Sequence, residues 1–342
     1  MNILVTGGLG YIGSHVVAEL LAAGHTPIIV DTLVNSRPII AEGLVQLTGK
    51  QLVHYNTDVR DTDQIVDILK KHDCQAVIHL AAYKSVGESV KNPLKYYDNN
   101  LQGLVSVLQA MDKTGVTQFI FSSSTTVYGS PRKEDLPFTE DSPVQPPTNP
   151  YGATKQMAEQ IIQDTCKASD IRAVLLRYFN PIGAHPSGLI GELPIGVPSF
   201  LLPFIMQTVA GIRSELTIFG DDYDTPDGSA VRDFVHVVDL AQAHLAALDY
   251  AGKTSDKISI FNIGTGKGTS VLEIVRSFER VNGIKVPHKI GPRREGDAPE
   301  SYASPAKAER VLGWKAKLRL DDMLHDTWRW QQYLQEHGGL EY

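Results

Sequence analysis

The stretch NILVTGGLGYIGSH at residues 2–15 constrains the fold of this chain more than any other. A short β-branched run, a cluster of glycines and the start of a helical pattern follow one another without a gap. Gly8, Gly10 and Gly13 satisfy G-x-G-x-x-G, and counting from Gly7 gives G-x-x-G-x-x-G. Such glycines allow a tight strand-to-helix turn and let backbone N–H groups approach a pyrophosphate at the positive end of the helix. Taken alone, the motif also fits a turn needed only for close helix–strand packing. Its context favours a dinucleotide, because Asp31 ends the second β-branched run, 18 residues beyond Gly13. An acidic side chain there accepts hydrogen bonds from the adenosine ribose hydroxyls and repels a 2′-phosphate, which selects NAD over NADP. Arg37 is the reservation, since a nearby arginine would serve NADP.

Five further β-branched runs, at 26–31, 51–59, 76–81, 119–125 and 173–180, alternate with helical stretches. Apolar runs without strict alternation predict strands covered on both faces, and their alternation with helices predicts a parallel sheet. In DTDQIVDILKKHD, Asp61 as N-cap and Gln64 three residues on resemble a capping box. After residue 180 the chain turns to Gly- and Pro-rich loops. HVVDLAQAHLAALDYA then reads as a helix, and IFNIGTG as a strand that returns to the sheet. The expected architecture is α/β, a Rossmann-type doubly wound parallel sheet with a smaller mixed α/β substrate lobe. Residues 1–180 would form the NAD-binding domain, rejoined by about 234–264, and the substrate lobe would lie within 181–342.

NPYGATK, at 149–155, places Lys155 four residues after Tyr151 on what reads as a helix start, so the two share one face. A free phenol has a pKa of about 10, and bringing it to about 7 needs roughly 4 kcal/mol of differential stabilisation. A neighbouring ammonium and a cationic nicotinamide ring in a partly dry cleft are groups that provide it. Tyr151 would then take a hydroxyl proton as hydride leaves the same carbon. Spacing alone is weak support, because Y-x-x-x-K occurs on many solvated helices. The cradle upstream and the serine run SSST at 122–125 strengthen it. Strand C-terminal ends line the ligand crevice of an open parallel sheet, so Ser124 reaches the same hydroxyl.

Composition narrows the alternatives. Apolar residues make up 42% of the 342, which supports a sizeable core. The net charge of −7 and the lack of a basic block argue against nucleic acid or a membrane surface as partner. Two cysteines without paired spacing argue against a disulfide framework or thiolate metal site and fit a reducing, cytoplasmic setting. The N-terminus lacks the pattern of a signal peptide, and no run approaches a membrane span. No metal is expected, since the 11 histidines show no ligand spacing. His79 and His244 lie in apolar contexts and read as core residues. The carboxylates of DDYDTPDG (221–228) read as a solvated turn.

With these residues in view, the chain resembles the extended short-chain dehydrogenases/reductases. Within them it is similar to the UDP-glucose (UDP-galactose) 4-epimerases over essentially its whole length. The matching stretches are VTGGLGYIGSH, VGESVKNPLKYYDNN, FSSSTTVYG, NPYGATK, LRYFNPIGAHPSG, VRDFVHVVDLA and RREGD. The resemblance implies that Ser124, Tyr151 and Lys155 are catalytic. It places Gly7, Gly10, Tyr11, Ile12, Gly13, Asp31, Asn35, Ser36, Asp58, Val59, Leu80, Lys84 and Asn99 on NAD, with Tyr178 and Phe179 beside the nicotinamide. It places Asn180, Phe219, Arg232, Arg294 and Asp297 on the UDP part. Arginines suit a diphosphate and an aromatic suits uracil. The plain reading of the arginines is that Arg232 and Arg294 pair with Asp233 and Asp297. The implied reaction is removal of the 4-hydroxyl proton by Tyr151 with hydride passing to tightly held NAD. The 4-keto sugar then swings about its diphosphate link and takes hydride back on its opposite face.

Some positions depart from the family. LAAYK (80–84) replaces the usual FAGLK, and Phe200 stands where an asparagine commonly faces the substrate. Ser301 falls where epimerases restricted to glucose and galactose tend to carry tyrosine, which predicts additional use of UDP-GlcNAc and UDP-GalNAc. A ring at Phe200 would be able to refill the space that Ser301 opens. The competing readings are a nucleotide-sugar dehydratase or decarboxylase on the same scaffold and a non-catalytic NAD sensor. Thr125 and Thr126, standing where dehydratases carry an Asp-Glu pair, argue against the first, and the intact Ser124, Tyr151 and Lys155 against the second. Apolar surplus on the stretches 93–113 and 151–168 predicts a homodimer built on a four-helix contact, as the resemblance also implies.

Overall fold

The computed structural model describes residues 1–130, 133–294 and 297–337. Six strands follow in chain order: β1 (Asn2–Thr6), β2 (Thr26–Val30), β3 (Val53–Tyr55), β4 (Ala76–His79), β5 (Gln118–Ser124) and β6 (Arg172–Tyr178). Beyond them come β7 (Asn180–Ile182), β8 (Leu216–Phe219), β9 (Val231–His236), β10 (Ile258–Ile263), β11 (Gly268–Ser270), β12 (His288–Gly291) and β13 (Glu300–Ser301). The main sheet has seven strands in the order β3-β2-β1-β4-β5-β6-β10. Every neighbouring pair in it is parallel, from Asn2 opposite Thr26 to Ser124 opposite Tyr178. The chain steps outward from β1 to β3 and then crosses back to lay β4 on the other side of β1. That reversal opens a crevice beyond the C-terminal ends of β1 and β4.

Helices cover both faces, and the strands are accordingly apolar on both sides. α1 (Tyr11–Ala22) and α2 (Pro38–Thr48) come first, then α3 (Thr62–Lys71), α4 (Val86–Lys91), α5 (Pro93–Tyr97), α6 (Gly103–Thr114) and α7 (Pro150–Ala168). α8 (Leu201–Val209), α9 (Val237–Ala251), α10 (Val271–Asn282) and α11 (Leu320–Glu336) complete the set. One face buries Val16, Leu20, Leu240 and Leu248 of α1 and α9 against Ile3, Val5 and Ile78. The other buries Ile65, Leu69, Leu104, Met111 and Ile162 of α3, α6 and α7 against Leu4, Val77 and Phe119. Asp61 caps α3 as its sequence indicates: Oδ1 accepts from Gln64 N at 3.1 Å and Oδ2 from Gln64 Nε2 at 2.6 Å. The stretch 93–113 is helical but not uniform, because Asp98–Gln102 between α5 and α6 form a wider π-helical turn.

After β6 the chain builds a second layer. β9 pairs with β11 antiparallel and with β7 and β13 in parallel, and β8 pairs with β12. Ile205, Ile218, Phe234, Phe278 and Leu324 fill the core of this part. The segment following β13 does not stay with it. Ala308 and Trp314 pack into the core of the large sheet, and Trp314 Nε1 donates to Asp239 O at 2.8 Å.

His79 ends β4 in the core. Its Nδ1 lies 2.8 Å from Thr6 Oγ1, and its ring stacks on Phe119 and Phe121. Burial pushes its pKa down to about 3, and burial likewise takes His15 to about 3 and His244 to about 4. In the unfolded chain such groups titrate near 6.5, so unfolding takes up protons once the pH falls below that value. Their contribution is full above pH 6.5 and is lost as the pH falls toward 3–4, by up to about 1.4 kcal/mol per pH unit for each imidazole. Urea unfolding should therefore show stability falling between pH 6.5 and 5. His79→Gln should flatten that slope by about one proton. Equal slopes in the two proteins would contradict the assignment.

Candidate active site

The glycine turn after β1 forms the floor of the crevice. Gly7 sits at φ +69°, and its N–H donates to Val30 O at 2.8 Å. A β-carbon at Gly13 would stand 2.0 Å from Gly7 O, so only glycine lets α1 start this close to the turn. α1 begins at Gly10 with no side-chain cap and no acidic residue in its first turn. An uncapped helix N-terminus at the mouth of a crevice is suited to an anion. Asp31 is fixed by accepting from Leu9 N (3.0 Å) and Leu33 N (2.8 Å), which leaves carboxylate lone pairs for two hydroxyls. Ser36 is buried and donates to Leu9 O, whereas Asn35 is exposed on the same loop. Ile12 packs on the core below. These groups fit a dinucleotide.

The rim is built from loops that follow β3 and β4. Val59 is buried, and Asp58 pairs with Arg60, whose guanidinium holds the carboxyl below its ordinary pKa. Leu80 N donates to Thr6 O at 3.1 Å. Lys84 reaches Glu192 Oε1 at 2.7 Å, and the Tyr11 hydroxyl donates to Gly183 O at 2.7 Å. Asn99 lies in the π-helical turn and donates to Asn100 Oδ1 at 3.0 Å.

The serine run ends β5 at the same side of the sheet. Asn149 caps α7 by accepting from Gly152 N at 2.9 Å, with Pro150 in the first turn, so Tyr151 enters the helix at its buried end. The Ser124 hydroxyl stands near enough to the Tyr151 phenol to influence its titration. Burial nevertheless pushes the phenol up to about 12, with the Ser124 hydroxyl pulling the other way. Lys155 Nζ donates to Ser122 O at 2.6 Å and lies 5.9 Å from the Tyr151 ring centre, so its ammonium serves the strand end instead of the phenol oxygen. Burial takes Lys155 down to about 8, and the Glu159 carboxylate opposes that fall. Tyr178 stands beside Tyr151 with its own pKa raised by burial, and Phe179 is buried next to it.

The second layer carries a cationic cluster. Arg232 Nη2 lies 3.4 Å from Asp297 Oδ1, and Arg294 makes two bonds to the same carboxylate at 3.0 Å. Arg232 does not pair with Asp233, whose oxygens are taken by Thr265 and Gly266. Two guanidinium groups thus share one carboxylate among the described residues, and burial lowers the pKa of Arg232. Such an excess of positive charge invites a further anion. Phe219 is half exposed under the Arg294 guanidinium, 5.6 Å from ring centre. Asn180 opens β7, and Ser301 registers opposite Arg232 on β13. The Phe200 ring carries Lys84 Nζ 4.7 Å from its centre.

The chain matches the model of the NAD dependent epimerase/dehydratase family over residues 3–264. It belongs to that family. The UDP-glucose 4-epimerase of Pasteurella multocida (strain Pm70) is 50% identical over 334 residues, covering 97% of this chain and 98% of the relative. The UDP-glucose 4-epimerase structure from Stenotrophomonas maltophila, with bound NAD and formylated UDP-arabinopyranose, superposes with a TM-score of 0.95. It shares 46% identity and covers 98% of this chain and 99% of that one. The Bifidobacterium longum enzyme in complex with NAD+ and UDP gives a TM-score of 0.93 at 46% identity, covering 97% and 98%. Within this family fold, two site residues escaped the sequence reading. Asn100 bonds both backbone groups of Tyr83 and reaches Thr154 Oγ1 at 3.3 Å, tying the β4 loop to α7. An Asn-Asn pair inside a helical stretch, unfavourable by propensity, was the available signal. Glu192 had none, because it stands in an irregular loop.

Proposed function

We propose that this protein is an isomerase that interconverts UDP-glucose and UDP-galactose at C4, using NAD. The observation that supports the reading is the C-terminal end of β5, where Ser124, Tyr151 and Lys155 meet on the same edge of the parallel sheet as the glycine cradle after β1, with the Arg232–Arg294 pair on the adjoining second layer. Bound NAD supplies the hydride acceptor for C4 and a cationic ring beside the phenol. Tyr151 takes the O4 proton and returns it after the sugar turns, and Ser124 hydrogen-bonds the same oxygen. Bringing the phenol from about 12 to near 7 takes about 7 kcal/mol, more than a lysine bound to backbone delivers. Lys155 retains its proton at neutral pH and fixes the strand end that carries Ser124. Arg232 and Arg294 hold the diphosphate, Phe219 packs on uracil and Asn180 completes the UDP site. The cradle residues Gly7 to Gly13, with Asp31, Asn35, Ser36, Asp58, Val59, Leu80, Lys84, Asn99, Tyr178 and Phe179, hold NAD. In this reading residues 1–180 with 234–264 form the cofactor domain and the rest the substrate lobe, apart from the stretch around Ala308–Trp314, which packs back on the large sheet. A dehydratase is disfavoured because Thr125 and Thr126, poor acids and bases near neutral pH, stand after Ser124.

Incubation with UDP-galactose and resolution of the C4 epimers tests the activity. Tyr151→Phe should keep the fold and bound NAD while turnover falls at least ~10²-fold. Near-normal turnover would remove Tyr151 from the mechanism.

We place the N-acetylated pair within its range. Ser301 is small, half-buried and opposite Arg232, and Phe200 engages Lys84. A tyrosine at 301 would compete with a C2 N-acetyl group, at a cost of about 1–3 kcal/mol. Wild type should accept UDP-GlcNAc, and Ser301→Tyr should lose that substrate selectively in kcat/KM. Equal handling by both proteins would move the gate elsewhere.

The protein is proposed to act in the cytoplasm as a homodimer. Cys74 and Cys166 are free and buried, and no helix among the described residues is long and apolar enough to cross a membrane. Val90, Leu94, Val105 and Met157 expose apolar surface on α4, α5, α6 and α7, which pairing across a two-fold axis would bury. Sedimentation should give a particle of twice the chain mass at micromolar concentration. A particle of single-chain mass would oppose the dimer.

A further inference from the structure

We infer that Glu192 and Phe200 are positioning residues that lock Lys84 across the cofactor crevice, and that this tie sets how long the dinucleotide stays bound. The inference deepens the NAD-dependent reading and rests on it.

The loop spanning 183–200 belongs to the second layer, yet it crosses the mouth of the crevice. Three contacts pin it there. Tyr11, at the start of the cradle helix, donates to Gly183 O at 2.7 Å. Lys84, from the loop after β4, reaches Glu192 Oε1 at 2.7 Å. Its neighbour Ser85 meets Ser199 at 3.4 Å. The loop is also held from behind, because Trp330 Nε1 of α11 donates to Glu192 O at 2.9 Å.

Lys84 is the centre of this arrangement. Besides Glu192, its ammonium lies 4.7 Å from the Phe200 ring centre and 5.5 Å from that of Tyr11. A lysine has three donors, and one carboxylate uses only part of them. The other paired surface lysines among the described residues mostly meet exposed acids, as Lys167 does Asp164. The Glu192 side chain, by contrast, is only 15% exposed and stands beside Tyr11 at an anion-binding helix start. The Lys84–Glu192 pair therefore ties the loop after β4 to the 183–200 loop, and Phe200 adds a face on which the ammonium rests. In this inference a dinucleotide lying in the cradle leaves when the Glu192–Phe200 stretch and Lys84 part, which breaks both contacts.

The test compares the release of bound NAD from wild type, Glu192→Gln, Phe200→Leu and the double variant, followed by gel filtration and by exchange against labelled NAD. Partly exposed ion pairs and cation–π contacts of this kind correspond to about two- to fivefold each in a rate. Glu192→Gln and Phe200→Leu should each release NAD about two- to fivefold faster, and the double variant faster than either. In 1 M salt, which screens a partly exposed pair, wild type should approach Glu192→Gln. Circular dichroism confirms folding, and the conservative Phe200→Leu keeps the test open if Glu192→Gln misfolds. Equal release rates in wild type and all folded variants overturn the tie. A wild type that holds no NAD at any salt overturns the NAD-dependent reading together with it.

Discussion

Everything in the site depends on the absence of one atom at residue 13. A β-carbon there would stand 2.0 Å from Gly7 O and 2.8 Å from Gly8 Cα, so any larger residue would push α1 away from β1. With glycine, α1 starts immediately above the strand end and its free N–H groups point into the crevice. The same turn brings Gly7 against the loop after β4, where a β-carbon would meet Ala81 N at 2.9 Å. The crevice is narrow because its two walls touch through glycine. In the proposed reading, that closeness lets side chains from loops far apart in sequence, Asp31, Leu80, Lys84 and Asn99, converge on one elongated ligand.

Charge is distributed along this crevice in a way that suits a ligand carrying diphosphates. At one end an uncapped helix start faces the rim with no acid in its first turn, and the acid that comes near, Glu192, is neutralised by Lys84. At the other end two arginines share Asp297, and Asp233 is withheld from them by Thr265 and Gly266. Between the two lies a drier region, where burial pushes Tyr151 up and Lys155 down. Desolvation disfavours the charged form of each, in opposite directions. Under the proposed mechanism, a phenol kept neutral by its surroundings becomes a base when a new positive charge arrives, which would couple proton removal to the presence of cofactor.

Much of this was legible in the residues. The turn, the strands, the sheet's parallel character and the convergence of Ser124 with Tyr151 follow from local pattern plus the rule that strand ends line the crevice. What was not legible depends on contacts between distant loops. Arg232 has Asp233 as its sequence neighbour, but successive residues of a strand point to opposite faces, so the pair separates and Asp297 takes its place. The role of Asn100 required knowing that Tyr83 and Thr154 meet, and the position of Lys155 required Ser122 O. The break of the stretch 93–113 into two helices around a π-helical turn leaves no periodic signature, because the apolar face continues through it.

The serine run at the end of β5 shows why this strand can carry chemistry without moving. Ser122 and Ser123 point to opposite faces, as successive strand residues must. On one face Ser122 Oγ meets His244 Nε2 of α9 at 3.2 Å, and His244 Nδ1 is committed to Leu240 O, so the serine donates and the imidazole stays neutral. On the other face Ser123 Oγ donates to Glu159 of α7 at 2.6 Å, and Arg177 of β6 binds both oxygens of that carboxylate. Lys155, one turn before Glu159, donates back to Ser122 O. The strand end is thus bolted to α9 on one side and to α7, at two successive turns, on the other. Only Ser124 remains at the open end, with its hydroxyl already accepting from Thr126 N at 3.2 Å. Its own hydrogen stays available, in the proposed reaction, for the Tyr151 oxygen or the substrate. The rigidity that keeps this geometry comes from groups that never touch the sugar.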